Sequence, residues 1–218
     1  AMVDLVSGGL RKIRDGARQL ASSPRAQLSA APENPAVRLQ MAQERAAKVN
    51  ASIAGVASDF PAPYRFQLVK EASKRGLDPR LMLAIMKQES QFKPGARSPA
   101  AARGLLQLTI DAANRYGKKA GFAHVTEDML YRPDVNIAIG AEYLNELSRM
   151  FAGMPEAMAA SYNGGEDNVA RWLARSNRND DGVFASEVGF TESKNYVFKV
   201  MSNYRAYKQL YDAKLNPR

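Results

Sequence analysis

Residues 85–108 read "IMKQESQFKPGARSPAAARGLLQL": a glutamate inside a greasy helix, followed by a loop of small residues. Advancing by about 100° per residue from Leu81 places Phe92 at about 20°, Ile85 at about 40°, Glu89 at about 80°, Met82 at about 100° and Met86 at about 140°. Glu89 therefore falls within the apolar stripe. Lys87, Arg80 and Gln91 fall at roughly 240° to 280°, so the opposite face already offers solvated positions. A buried carboxylate without a cation resists ionising, and its pKa rises toward the range where a proton donor works near neutral pH. The competing reading of the same position is a glutamate paired with an arginine or capping a neighbouring helix, and helix position alone favours that reading.

The residues that follow shift the balance. In "FKPGARSPAAARGLLQL" the prolines, glycines and small side chains let the backbone pass close to a ligand, and Ser98 and Gln107 supply a hydroxyl and an amide for hydrogen bonds. An acid, a close backbone and polar contacts together suit a carbohydrate site. Further along, "AASYNGG" ends a small-residue helix with Tyr162 and Asn163 directly before two glycines, where both side chains can project at the turn. A C-cap with a core tyrosine explains the same residues equally well.

Around these segments the chain reads as helical throughout. Helices are expected over 64–75, closed by Gly76, and from Pro79 onward, with Asp78 as N-cap and the proline in the first turn. Others are expected over 134–150, where Ile137, Ala141, Leu144 and Leu147 share a face, and over 155–162, 166–175 and 192–212. Loops are expected around 93–108 and 176–190, and strand-like alternation is almost absent. Ala42, Ala46, Val49, Ile53 and Val56 align on one face of a helix within residues 36–57. A weaker helix is expected over 3–20, and "ASSPRAQLSAAPENP" between the two reads as a linker. The prolines of "SDFPAPYR" break the pattern, which sets a boundary near Asp59. The expectation is an all-α protein with an N-terminal helical segment and linker, 1–58, and a second domain, 59–218.

Composition narrows the function. With 218 residues, 45% hydrophobic and 24% charged, the chain can bury a core. Its 31 Lys+Arg against 22 Asp+Glu give a net charge of +9, which suits an anionic partner or serves solubility. The basic residues are scattered rather than gathered on one helix with aromatics, which argues against nucleic acid. The absence of cysteine excludes disulfides and thiol chemistry; His124 is the only histidine and is expected on a loop, and no phosphate-binding glycine motif is present. Neither a metal nor a cofactor is expected. No apolar run approaches the roughly 18 residues of a membrane span, and the first residues lack the order of a signal peptide.

Taken together, the "ES" of Glu89 and Ser90, Ser98, "GLLQL" at 104–108, "PDVNIAIGAEYL" at 133–144, "AASYNGG" at 159–165 and "ESKNYVFKV" at 192–200 resemble the catalytic domain of soluble lytic murein transglycosylases. The resemblance runs from about Phe60 to Tyr211, and residues 1–58 look like a remnant of the helical module that precedes this domain in larger members. It implies a lysozyme-like helical fold, related to goose-type lysozyme. The implied reaction cuts the β-1,4 bond between N-acetylmuramic acid and N-acetylglucosamine of peptidoglycan, leaving a 1,6-anhydro end.

By the same resemblance Glu89 looks like the sole acid and base. Ser98, Gln107, Tyr162 and Asn163 look like groups around the reacting sugar, with Glu192 and Tyr196 as support near the cleft. The expected partner is the glycan strand, met by a monomer in the periplasm or cell envelope. The chain departs from the family pattern in "GLLQLTID", where a methionine and a following proline are usual, in "YNGG" for "YNAG", and in "ES" for "ET" at 192. Two alternatives are a lysozyme-type muramidase, in which Asp111, Glu127, Asp128 or Glu187 directs water, and a non-catalytic wall-binding protein. For Tyr162 the expectation is a hydroxyl aimed at the carboxylate or the sugar rather than into the core.

Overall fold

The computed structural model describes residues 43–45, 55, 58–175 and 188–218. Contacts divide the chain into two compact units, Ala1–Val56 and Ala57–Arg218. In the first unit the described residues 43–45 and 55 are helical. The helix expected over 3–20, the linker after it, most of the helix expected over 36–57 and the loop residues 176–187 lie outside the described residues.

The second unit is helical, and among its described residues the only extended pairings are isolated bridges. The helices are α1 (Arg65–Ser73), α2 (Pro79–Ser90), α3 (Ile110–Gly117), α4 (Pro133–Met150), α5 (Pro155–Gly164), α6 (Glu166–Arg175) and α7 (Thr191–Leu210), with a 3-10 turn at Asp128–Tyr131. Helix α2 starts where its local chemistry dictates. The Asp78 side chain accepts from the Arg80 backbone N–H at 2.9 Å, and Pro79 fills the first turn, where its missing N–H costs nothing. Helix α3 and the 3-10 turn were not expected. Thr109 caps α3 by accepting from Ala112 N–H at 3.2 Å, but eight residues carry too short a periodic signal to stand out.

Leu81, Met82, Leu83, Ala84, Ile85 and Met86 are all buried, so α2 is enclosed nearly all round and forms the centre of the core. It packs most extensively on α7, which in turn packs on α5; α4 packs on α1, α3, α5 and the 3-10 turn. The shared face expected on α4 is buried, with Ile137, Ala141, Leu144 and Leu147 at most 1% exposed. Among the described residues no helix is long and apolar enough to cross a membrane.

Candidate active site

Glu89 lies in the last turn of α2, half-buried, against α7. Its partner is a phenol rather than a cation: the Tyr196 hydroxyl donates to Glu89 Oε1 at 2.5 Å. Among the described residues no arginine or lysine pairs with it. Burial pushes the Glu89 carboxyl up to about 7 from an ordinary value of 4.5, and the Tyr196 hydrogen bond offsets only part of the rise. The hydroxyls of Tyr162 and Tyr196 are both pushed well above the usual tyrosine range, first by burial and then by the charge of Glu89. All three groups therefore share one low-dielectric space.

The next residue, Ser90, faces the loop. Its hydroxyl donates to the Leu105 carbonyl at 2.8 Å, which ties the end of α2 to the "GLLQL" turn. Asn136, fully buried on α4, holds the turn from the other side: its Nδ2 donates to the carbonyls of Arg103 and Leu130, and its Oδ1 accepts from Leu106 N–H at 2.8 Å. That packing explains two glycines. A Cβ on Gly104, whose φ is +77°, would stand 2.1 Å from the Leu130 carbonyl oxygen, and one on Gly140 would stand 2.4 Å from Leu106 Cδ1.

Of the two targets expected for Tyr162, the carboxylate and the sugar, its hydroxyl does not hydrogen-bond the first. Its hydroxyl donates to the Leu106 carbonyl at 2.7 Å and so braces the same turn. Its ring lies 5.0 Å from Tyr143, tilted by 32°, and Tyr143 stacks at 5.1 Å on Tyr116; these rings wall a recess of about 340 Å3 that includes Gln107, Asp111, Arg115 and Glu166. Aromatic faces beside polar groups suit the flat, hydroxyl-rimmed surface of a sugar ring.

The remaining expected residues are held as follows. The Ser98 hydroxyl accepts from Ala102 N–H at 3.1 Å, and the Gln107 amide donates to the carbonyls of Ala96 and Gly104, so both shape the loop from within. Gln107 itself adopts a positive φ of 46°. Asn163 is exposed, and its Oδ1 accepts from the Ser193 hydroxyl at 2.8 Å. Glu192 is exposed on the first turn of α7, while its neighbour Ser193 is the one that faces inward. His124 is exposed. Sequence reading gave no role to Asn136, Tyr143, Tyr116 or Ser193. Asn136 carried a signal of the same kind as Glu89, a polar residue within an apolar helical run; the others carried none.

One half-buried acid raised toward neutrality with a phenol on it, and an aromatic recess beside a tightly pinned turn, sit in a lysozyme-like all-α domain. The family model of the transglycosylase SLT domain matches residues 67–184, and the chain belongs to that family. It is 32% identical over 176 residues to the putative soluble lytic murein transglycosylase of Haemophilus influenzae, covering 78% of this chain and 30% of that protein. Among solved structures, an inactive mutant of the lytic transglycosylase Slt from Pseudomonas aeruginosa aligns with a TM-score of 0.66 at 32% identity, covering 74% of this chain and 27% of the other. The 70 kDa soluble lytic transglycosylase of Escherichia coli aligns at 0.67 and 28% identity, over 70% and 25%. The chain thus spans less than a third of the length of each of these proteins.

Proposed function

We propose that this chain cleaves the β-1,4 bond between N-acetylmuramic acid and N-acetylglucosamine in peptidoglycan as a lytic transglycosylase, with Glu89 as acid and then base. The observation that carries the reading is the Glu89 carboxyl, raised to about 7 with a tyrosine hydroxyl as its partner. A group with that pKa holds a proton for a substantial fraction of the time near neutral pH and also accepts one back. In the first step Glu89 gives its proton to the glycosidic oxygen as the bond to the anomeric carbon breaks, and the acetamido oxygen of the muramic acid closes on that carbon. In the second step the Glu89 carboxylate takes the proton of the 6-hydroxyl, whose oxygen displaces the acetamido group and forms the anhydro ring. Proton, charge and leaving group balance without water. Substrate assistance of this kind is a known exception to the two-carboxylate rule.

The muramidase alternative needs a second carboxylate to direct water. Of the candidates, Asp111 is exposed but lines the aromatic recess, so product analysis decides its role; Asp128 is exposed, Glu127 accepts from Arg103 at 2.5 Å, and Glu187 lies outside the described residues. Ser98, Gln107, Tyr162, Asn163, Glu192 and Tyr196 form the surroundings of the reacting sugar in this reading, with Tyr196 on the acid and Tyr162 and Gln107 on the turn that faces it. The chain works as a monomer on glycan strands in the periplasm or cell envelope, and residues 59–218 suffice for cleavage. The test is digestion of purified sacculi followed by mass analysis of the released muropeptides. Anhydro ends, lighter by one water than reducing ends, are expected; reducing ends would make the protein a muramidase, and no release would make it a wall-binding protein.

A further inference from the structure

A second recess, of about 490 Å3, opens beside α1 and α4 and is lined by Lys74, Arg75, Lys119, Glu142, Glu146 and Arg149. Counting donors against acceptors shows what it lacks. Glu71, behind the recess, accepts from Lys74 on one oxygen and from Arg75 on the other. Glu142 accepts from Arg75 and, at 3.5 Å, from Asn145. Glu146 accepts from Arg115 and Tyr116 on one oxygen and from Lys119, at 3.4 Å, on the other. Each oxygen of the three carboxylates thus carries at least one bond, the two at 3.4 and 3.5 Å being long.

Among the cations, Arg75 is spent: its side chain is 8% exposed, its two terminal nitrogens go to Glu71 and Glu142, and its Nε, without a partner among the described residues, is buried out of a ligand's reach. Lys74 and Lys119 each use one of three donors and are 53% and 63% exposed at the side chain. Arg149 is exposed and has no ion-pair partner among the described residues. Four cations, Lys74, Arg75, Lys119 and Arg149, line the recess against two carboxylates, Glu142 and Glu146, and this cationic excess complements an anion.

Its place in the fold says which anion. The recess meets the aromatic wall of the proposed cleft through Glu146, which Tyr116 and Lys119 share. Ring centroids step 5.0 Å from Tyr162 to Tyr143 and 5.1 Å on to Tyr116, and Lys119 Nζ lies 5.9 Å from that last ring, which bounds the separation of Lys119 from Tyr162. About five extended residues at ~3.3–3.6 Å each span it. We infer that this recess binds the carboxylates of the peptide stems carried by the same glycan strand that enters the Glu89 site. The inference rests on the peptidoglycan reading of that site.

The test uses the full chain carrying Glu89→Gln, so that nothing is cut while binding is measured, and compares it with the same chain carrying Lys119→Glu and Arg149→Glu as well. Neither added position touches Glu89 or its turn. On intact sacculi the charge reversals should weaken binding by at least about tenfold at physiological salt. On sacculi stripped of stems by an amidase the two proteins should bind alike. Equal binding to intact sacculi, or an equal loss on stripped ones, overturns the inference. So does stronger competition by a glycerol-phosphate polymer than by a free stem tetrapeptide, which would make the recess a phosphate site. Because binding is read in an uncut complex, these outcomes stand apart from the product analysis that tests the reaction itself.

Discussion

Glu71 and Glu89 sit on adjoining helices, α1 and α2, yet their surroundings drive them in opposite directions. Burial works against the charge of both. At Glu71 the bonds from Lys74 and Arg75 outweigh it and hold the carboxyl below its usual range, whereas at Glu89 a single phenol leaves burial dominant and the carboxyl rises to about 7. Of two carboxylates of similar backbone setting, one is held charged and the other is raised to where it can hold a proton near neutral pH, because among the described residues cations reach the first and not the second. The role lies in the partner, which sequence position alone does not name.

The largest effect expected from breaking this contrast is at Glu89 itself. Glu89→Gln should lower turnover on sacculi by about 10²–10⁴, since the amide keeps the volume and donates no acid proton. It should also change stability with a definite sign. A carboxyl whose folded pKa lies above its unfolded value favours the fold fully below pH 4.5 and loses that contribution as pH rises through about 7. Removing it should therefore stabilise the fold at pH 8 by on the order of 1–3 kcal/mol after allowance for partial exposure, read as a raised melting temperature there, and leave the melting temperature unchanged at pH 4. A variant equally active, or equally melting at pH 8, would show that Glu89 is an ordinary surface acid.

Glu71→Gln tests the other side. It leaves Arg75 with Glu142 as its remaining carboxylate and should cost about 2–4 kcal/mol near neutral pH, by thermal or urea unfolding. The sign is the reverse of that at Glu89. A lowered carboxyl contributes stability above its unfolded pKa and loses it as pH falls through the folded one, so the deficit should shrink toward acid pH. Turnover well below the melting temperature should hardly change.

Smaller and sharper is Tyr196→Phe. Its hydroxyl lowers the Glu89 pKa, so its loss should move the alkaline limb of the pH–activity profile upward and reduce turnover by roughly tenfold, equivalent to ~1.4 kcal/mol. An unmoved limb would remove Tyr196 from the acid's control. The smallest change is expected from Tyr162→Phe, which unpairs the Leu106 carbonyl and should cost about 1 kcal/mol of stability, with turnover falling less than at Tyr196. A larger fall at Tyr162 than at Tyr196 would make Tyr162 the acid's true partner.

What the sequence by itself determined was local. The cap and proline of α2, the face of α4 and the placement of Glu89 inside an apolar stripe follow from spacing and from which side chains satisfy a helix end, so they could be read before any contact was known. Helix α3 could not, because eight residues acquire their stability from the packing of Ala113 and Tyr116 rather than from their own propensity. The partners were likewise hidden. Tyr196 reaches Glu89 across 107 positions, and Tyr162 reaches Leu106 across 56. Ser193 rather than Glu192 turns inward because the register of α7 against α5 selects which side chain faces Asn163. Periodicity fixes which face a residue occupies, while only the docking of one helix on another fixes what it meets there; that meeting set Glu89 near 7 and kept Glu71 charged.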